Sequence, residues 1–205
     1  MHKLLIFCWL VVLAGAVSAQ DNRLTVERKV HGNTLQSAAD PAITLTFAKP
    51  FHYAGGQAFD IFQVAGAEQH LFVESGPDRA IRRFYWVQFE HYYANNKHTY
   101  DYSEIEQLPL QLGRFTFQAD TRVAPNYFTG DLRPGSDSEA TLKFLRDKGY
   151  KVDGDYARVR MFLLPDDSKR KELMIIYGEA VAPGAAADQL KKEALQHARE
   201  WLKVR

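Results

Sequence analysis

Over much of this chain apolar positions return every second residue, a period that predicts a protein built mainly of strands. Leu24 to Val30 and Ile43 to Phe47 alternate in this way, with turn chemistry between them at His31-Gly32-Asn33 and Asp40-Pro41. After a glycine-rich turn at Gly55-Gly56, the runs Phe59 to Ala65, His70 to Glu74 and Ala80 to about Tyr92 predict an antiparallel meander. Its turns are expected at Gly66-Ala67-Glu68 and Ser75-Gly76-Pro77-Asp78. A hairpin is predicted over His91 to Tyr102, turning at Asn95-Asn96 or Asn96-Lys97, because asparagine tolerates positive φ. Residues 103 to 135 carry three prolines and one clear strand, Arg114 to Gln118. Ala157 to Leu164 alternates again, and the almost wholly apolar Leu173 to Ala180 suits a central strand covered on both faces.

Two segments change period. Ser136 followed by Glu139 fits a capping box, and Leu142, Phe144 and Leu145 give the helix behind it an apolar side that ends at Gly149. From Ala185 to about Lys203, Leu190, Ala194, Ala198 and Trp201 recur at helical spacing. The fold class is therefore α+β. The expected architecture is a curved antiparallel sheet of about seven to nine strands, with a mid-chain helix and a long C-terminal helix packed on it, and a cavity between the layers.

The N-terminus breaks the pattern. His2-Lys3, the apolar run Leu4 to Ala16 and the small-residue site Val17-Ser18-Ala19 form the three parts of a secretory signal peptide, residues 1–19. The run is shorter than the roughly 20 residues that span a bilayer, so no membrane span is expected after cleavage. The expected mature chain, residues 20–205, is one domain that is secreted or periplasmic. Cleavage also removes Cys8, the only cysteine, so no disulfide, thiolate metal site or cysteine nucleophile is open to the mature chain. It leaves 25 basic against 25 acidic residues, a balance with no overall drive toward nucleic acid. Lys169-Arg170-Lys171 reads as a solvated hairpin tip.

Arg82 to Tyr102 is the densest aromatic stretch, and the candidate chemistry centres on it. Parity puts Ile81, Tyr85, Val87 and Phe89 on one face of its strand and Arg82, Phe84, Trp86, Gln88 and Glu90 on the other. The second set mixes large rings with polar heads, as a ligand-pocket wall does. Tyr92 and Tyr100 extend that wall, and Arg158 and Arg160 on a later strand are placed to meet an anionic head together with Arg82. The leading expectation is a binding module for a small, largely apolar or amphipathic ligand. The alternatives are a hydrolase- or lyase-type enzyme using His91 or His98 with Glu90 or Asp101, and a cell-envelope interaction domain that exposes the aromatic hairpin. Either hairpin register puts His91 and His98 on one face and Glu90 and Asp101 on the other, and the Asn95-Asn96 turn sets Glu90 opposite Asp101. Two imidazoles make only half a zinc site, so no metal is expected. Neither a phosphate loop nor a dinucleotide fingerprint is present, and no cofactor is expected.

Overall fold

The computed structural model describes residues 24–105, 108–130, 132–181 and 186–205; the signal peptide expected over residues 1–19 lies outside them. The fold is α+β, with two antiparallel sheets and two helices among the described residues. In chain order the elements are β1 (Lys29–His31), β2 (Thr34–Ser37), β3 (Ile43–Phe47), β4 (His52–Ile61), β5 (Ala65–Ser75), β6 (Ile81–Tyr92), β7 (Leu108–Leu112), β8 (Phe115–Ala124), α1 (Asp137–Asp147), β9 (Tyr156–Leu163), β10 (Lys171–Ala180), α2 (Ala187–Glu200) and β11 (Leu202–Val204). The large sheet has the order β4-β5-β6-β10-β9-β8-β7, and the small one β1-β2-β3-β11.

At the centre of the large sheet, Phe84 to Phe89 are buried without a break, and so are Leu173 to Tyr177 beside them. Both parities are interior, so each face needs its own cover. On one face, Phe72, Tyr85, Val87, Leu173 and Ile175 meet the small sheet and α2, with Phe47 stacked on Phe72 at 3.9 Å and Ala194 and Ala198 fully buried. On the other, Leu71, Phe84, Trp86 and Ile176 meet Leu142 and Leu145 of α1 together with Phe128. The helices therefore lie on opposite faces. In place of the cavity expected between the layers, each face of the central strands forms a packed interface.

Several boundaries differ from the sequence reading for local reasons. Gly66, Ala67 and Glu68 lie inside β5; the turn is Phe62-Gln63-Val64, where Phe62 and Gln63 take φ of 49° and 58° without a glycine. Gly55 and Gly56 sit in β4 at a bulge, and the bare Gly56 leaves room for the Tyr53 hydroxyl, 2.7 Å from where a Cβ would stand. The least readable region contains the β7–β8 hairpin, and Pro109 is tolerated because β7 is an edge strand. The C-terminal helix stops at Glu200 because Leu202 and Val204 turn inward as β11, opposite Phe47 and Leu45 of β3. The capping of α1 follows the sequence: Ser136 Oγ accepts from the Glu139 amide at 3.2 Å, and Glu139 in turn accepts from the Gly135 amide.

Gly178 shows how tight the interior is. A Cβ there would collide with the Phe84 ring. Gly178→Ala is expected to lose about 1–3 kcal/mol of stability through overpacking, measured by denaturant unfolding; an unchanged midpoint would show that Phe84 is free to move.

Candidate functional site

The structure divides the sequence-predicted residues between the two faces of β6. Phe84 and Trp86 are 0% and 1% exposed and packed under Tyr127, Phe128 and Tyr156, so they are core rather than pocket wall. Trp86 Nε1 donates to Gln88 Oε1 at 2.7 Å. Gln88 belongs to a buried amide chain in which Gln69 Nε2 donates to Gln88 Oε1 and to Thr141 Oγ1 of α1. These polar heads orient one another. The arginines do not converge: Arg160 is clasped by Asp120, Arg158 lies over the Tyr127 ring at 5.5 Å, and Arg82 is exposed at the start of β6 beside Gly76 and Asp78. Burial lowers the Arg158 pKa, and its Nε has no hydrogen-bond partner among the described residues.

The predicted hairpin over His91 to Tyr102 does not form. β6 ends at Tyr92, and residues 93–102 fold back along the β9–β10 turn. Arg170 holds them there, donating to the carbonyls of Tyr93 at 2.7 Å and His98 at 2.9 Å, so it is a clamp rather than part of a solvated tip. Tyr92 and Tyr100 stack at 4.6 Å as a result, and Tyr100 donates its hydroxyl to Glu90 Oε2 at 3.0 Å. Asp101 is exposed and binds the Ser103 amide, so its pairing with Glu90 is corrected. The carboxylate opposite Glu90 is Glu172, its register partner on β10. His98 lies near Tyr92 and is parted from His91, whose ring meets Tyr93 and whose side chain emerges on the other face.

Glu90 and Glu172 share one buried spot and solve it unequally. Burial raises both; the Asp137 charge adds to the rise of Glu90, and the Glu90 charge to that of Glu172. Glu90 accepts hydrogen bonds from Gln88 and Tyr100, which favour its charged form. Glu172, 4% exposed and without such donors among the described residues, keeps the proton.

The other face holds a cleft of about 800 Å³ where the N-terminal segment crosses the ends of β4, β5, β6 and β10. His91, Asp60, Tyr93, Lys171, Arg28 and Glu68 are among its lining residues. Its back wall is built on a buried relay. Arg28 donates to both oxygens of Glu68, its amide to Oε1 and its Nη1 to Oε2, each at 2.7 Å; His70 Nε2 also lies 2.8 Å from Oε1, and His70 Nδ1 lies 3.0 Å from the Tyr53 hydroxyl. An Nε2–H tautomer satisfies the whole chain. Burial pushes Glu68 up, but the bonds from His70 and Arg28 outweigh it and hold the carboxyl at about 2. Burial and the Glu68 charge raise Tyr53 to about 12, so its hydroxyl keeps its proton. His91 is lowered by burial and by the charges of Arg28 and Lys171, which leaves a neutral imidazole in the cleft at neutral pH.

Of the sequence candidates, only His91 turns its side chain into this cleft, Glu90 bordering it with its carboxyl on the opposite face; Asp60, Glu68, Arg28 and Lys171 were missed, as was the role of His70 behind the wall. Glu68 and His70 had one available signal: as i and i+2 in a strand they share a face. Reading Glu68 as a turn residue hid it. Compared with family models, curated proteins and solved structures, the chain matches none.

The two buried acids make opposite demands on pH. Glu68 titrates below its ordinary value when folded, so its contribution is present above that value and lost as pH falls toward about 2. Glu172 titrates above its ordinary value, so its contribution fades as pH rises from the usual carboxylate range toward its own titration. Glu172→Gln is therefore expected to be more stable than the parent at pH 8 by about 1–3 kcal/mol and to match it near pH 4. Thermal melts at both pH values check this; equal melting temperatures at pH 8 would mean that Glu172 ionises without cost.

Proposed function

We propose that this chain is an exported binding module whose site is the cleft at the ends of β4, β5, β6 and β10, and that its ligand is small and polar. The observation that carries this reading is the construction of the cleft's wall. Glu68, 5% exposed, is fixed by three hydrogen bonds from Arg28 and His70, while His91 beside it carries no hydrogen bond to another described side chain. A rigid wall next to an unengaged imidazole is the arrangement of a preorganised binding site. The volume fits a ligand of drug-like size. Charged and hydroxyl groups dominate the lining, so the preference moves from an apolar ligand to a polar one.

The acid–base alternative retains one specific support, the neutral His91 in the same cleft, where an imidazole can accept a proton. The aromatic contact surface loses its basis, because Phe84 and Trp86 are interior and Tyr92 and Tyr100 stack on each other. Among the described residues no helix is long and apolar enough to cross a membrane.

Native mass spectrometry of the protein purified from its own host tests the proposal. A retained mass on the order of a few hundred daltons is expected, with its occupancy reduced at least about tenfold in a His91→Ala variant that melts like the parent. A bare parent chain, or a bound mass indifferent to His91, overturns it.

A further inference from the structure

Register places one row of residues straight across the floor of the cleft. Asp60 of β4 pairs with Gly66 of β5, Gly66 with His91 of β6, and His91 with Lys171 of β10. Neighbouring strands lie about 4.8 Å apart, so the row carries a carboxylate and an ammonium whose backbones are on the order of 14 Å apart. Between them the bare Gly66 lets the Leu24 side chain and the His91 ring pack down onto the floor, 2.8 Å and 2.9 Å from the position a Cβ would take.

The two ends differ in how their charges are held. Asp60 accepts from the Tyr93 hydroxyl at 2.7 Å and from the Gln63 amide, but has no cationic partner among the described residues. Lys171 Nζ rests on Asp40 at 2.7 Å, and these side chains are 40% and 47% exposed, so the pair is screened and readily exchanged. Arg28, held over the Phe89 ring of β6 at 4.2 Å, adds a second cation between the two ends, and its Nη2 has no partner among the described residues. Tyr93 and Leu24 supply the less polar contacts between the ends.

Resting on the cleft as the binding site, we propose that its ligand is a zwitterion with a short methylene spacer. The ammonium end meets Asp60, the carboxylate meets Lys171 and Arg28 in exchange for Asp40, and the spacer lies over the Leu24 side chain and the His91 ring that cover Gly66. His91 sits between the ends as a neutral hydrogen-bonding group. A ligand with only one charge answers one end of the row and leaves the other as it was, so charge pairing at both ends is the source of selectivity.

Calorimetric titration of the full chain with 5-aminopentanoate, pentanoate and pentylammonium reads this directly. The zwitterion is expected to bind at least about tenfold tighter than either half-ligand. Asp60→Asn should weaken 5-aminopentanoate and pentylammonium but not pentanoate; Lys171→Met should weaken 5-aminopentanoate and pentanoate but not pentylammonium. Thermal melts confirm that both variants fold. Pentylammonium binding as tightly as the zwitterion, with Lys171→Met silent, makes the cleft a simple cation site and overturns the proposal. If none of the three binds while a host ligand sensitive to His91→Ala is still retained, the zwitterion falls and the cleft stands; if no host ligand is retained either, both fall.

Discussion

The pairing of β6 with β10 in the middle of the seven-stranded sheet sets the terms for the rest of the structure. Nine residue pairs run from Lys171 opposite His91 to Glu179 opposite Arg83, and through the middle of that run both faces are buried. A sheet apolar on both sides needs two covers. The small sheet with α2 supplies one, and α1 with Phe128 the other. At one end of the ladder Lys171, Glu172, Glu90 and His91 meet, and the cleft and the buried glutamate pair lie there; the other end, Glu179 opposite Arg83, is polar as well.

Those features are two ways of keeping a carboxylate out of water. On the cleft face Glu68 is matched by Arg28 and His70 and stays charged. On the opposite face Glu172 has only Glu90 across the strand, so one proton is kept between them. The sheet is one residue thick, and the two environments are separated by little more than the backbone of β5 and β6. Parity alone decides which chemistry a residue joins, and His91 and Glu90, adjacent in sequence, belong to different ones.

Much of the fold was legible because period-two alternation and helix capping are local. β3, β6, β9 and α1 fall where alternation and the Ser136 cap put them. The misses share a cause: the deciding contact was distant in sequence. Glycine content suggested a turn at Gly66, but the turn at Phe62 and Gln63 is made by residues that the meander forces into left-handed φ. Asparagines suggested a hairpin after His91, but Arg170, more than seventy residues later, captures that segment's carbonyls. Phe84 and Trp86 resembled a pocket wall because their strand carries Arg82, Gln88 and Glu90 on the same side. What fills that side comes from Thr141, Tyr127 and Phe128, which no periodicity in residues 82–102 encodes. The cleft was the least legible part, since its row of residues comes from four strands and exists only through register.

The three-residue strand β11 has a bearing on how the chain reaches this state. β4, β5 and β6 can pair as soon as they are made, but that meander alone has two bare faces and an open edge at β6. The edge closes when β10 arrives, and the small sheet is completed by Leu202 and Val204 docking on Phe47 and Leu45. Nearly every layer thus joins an early segment to a late one, a topology of high contact order that folds slowly and late. Until β10 and β11 are in place, the chain exposes the apolar faces of the unfinished meander, the kind of surface through which folding intermediates self-associate.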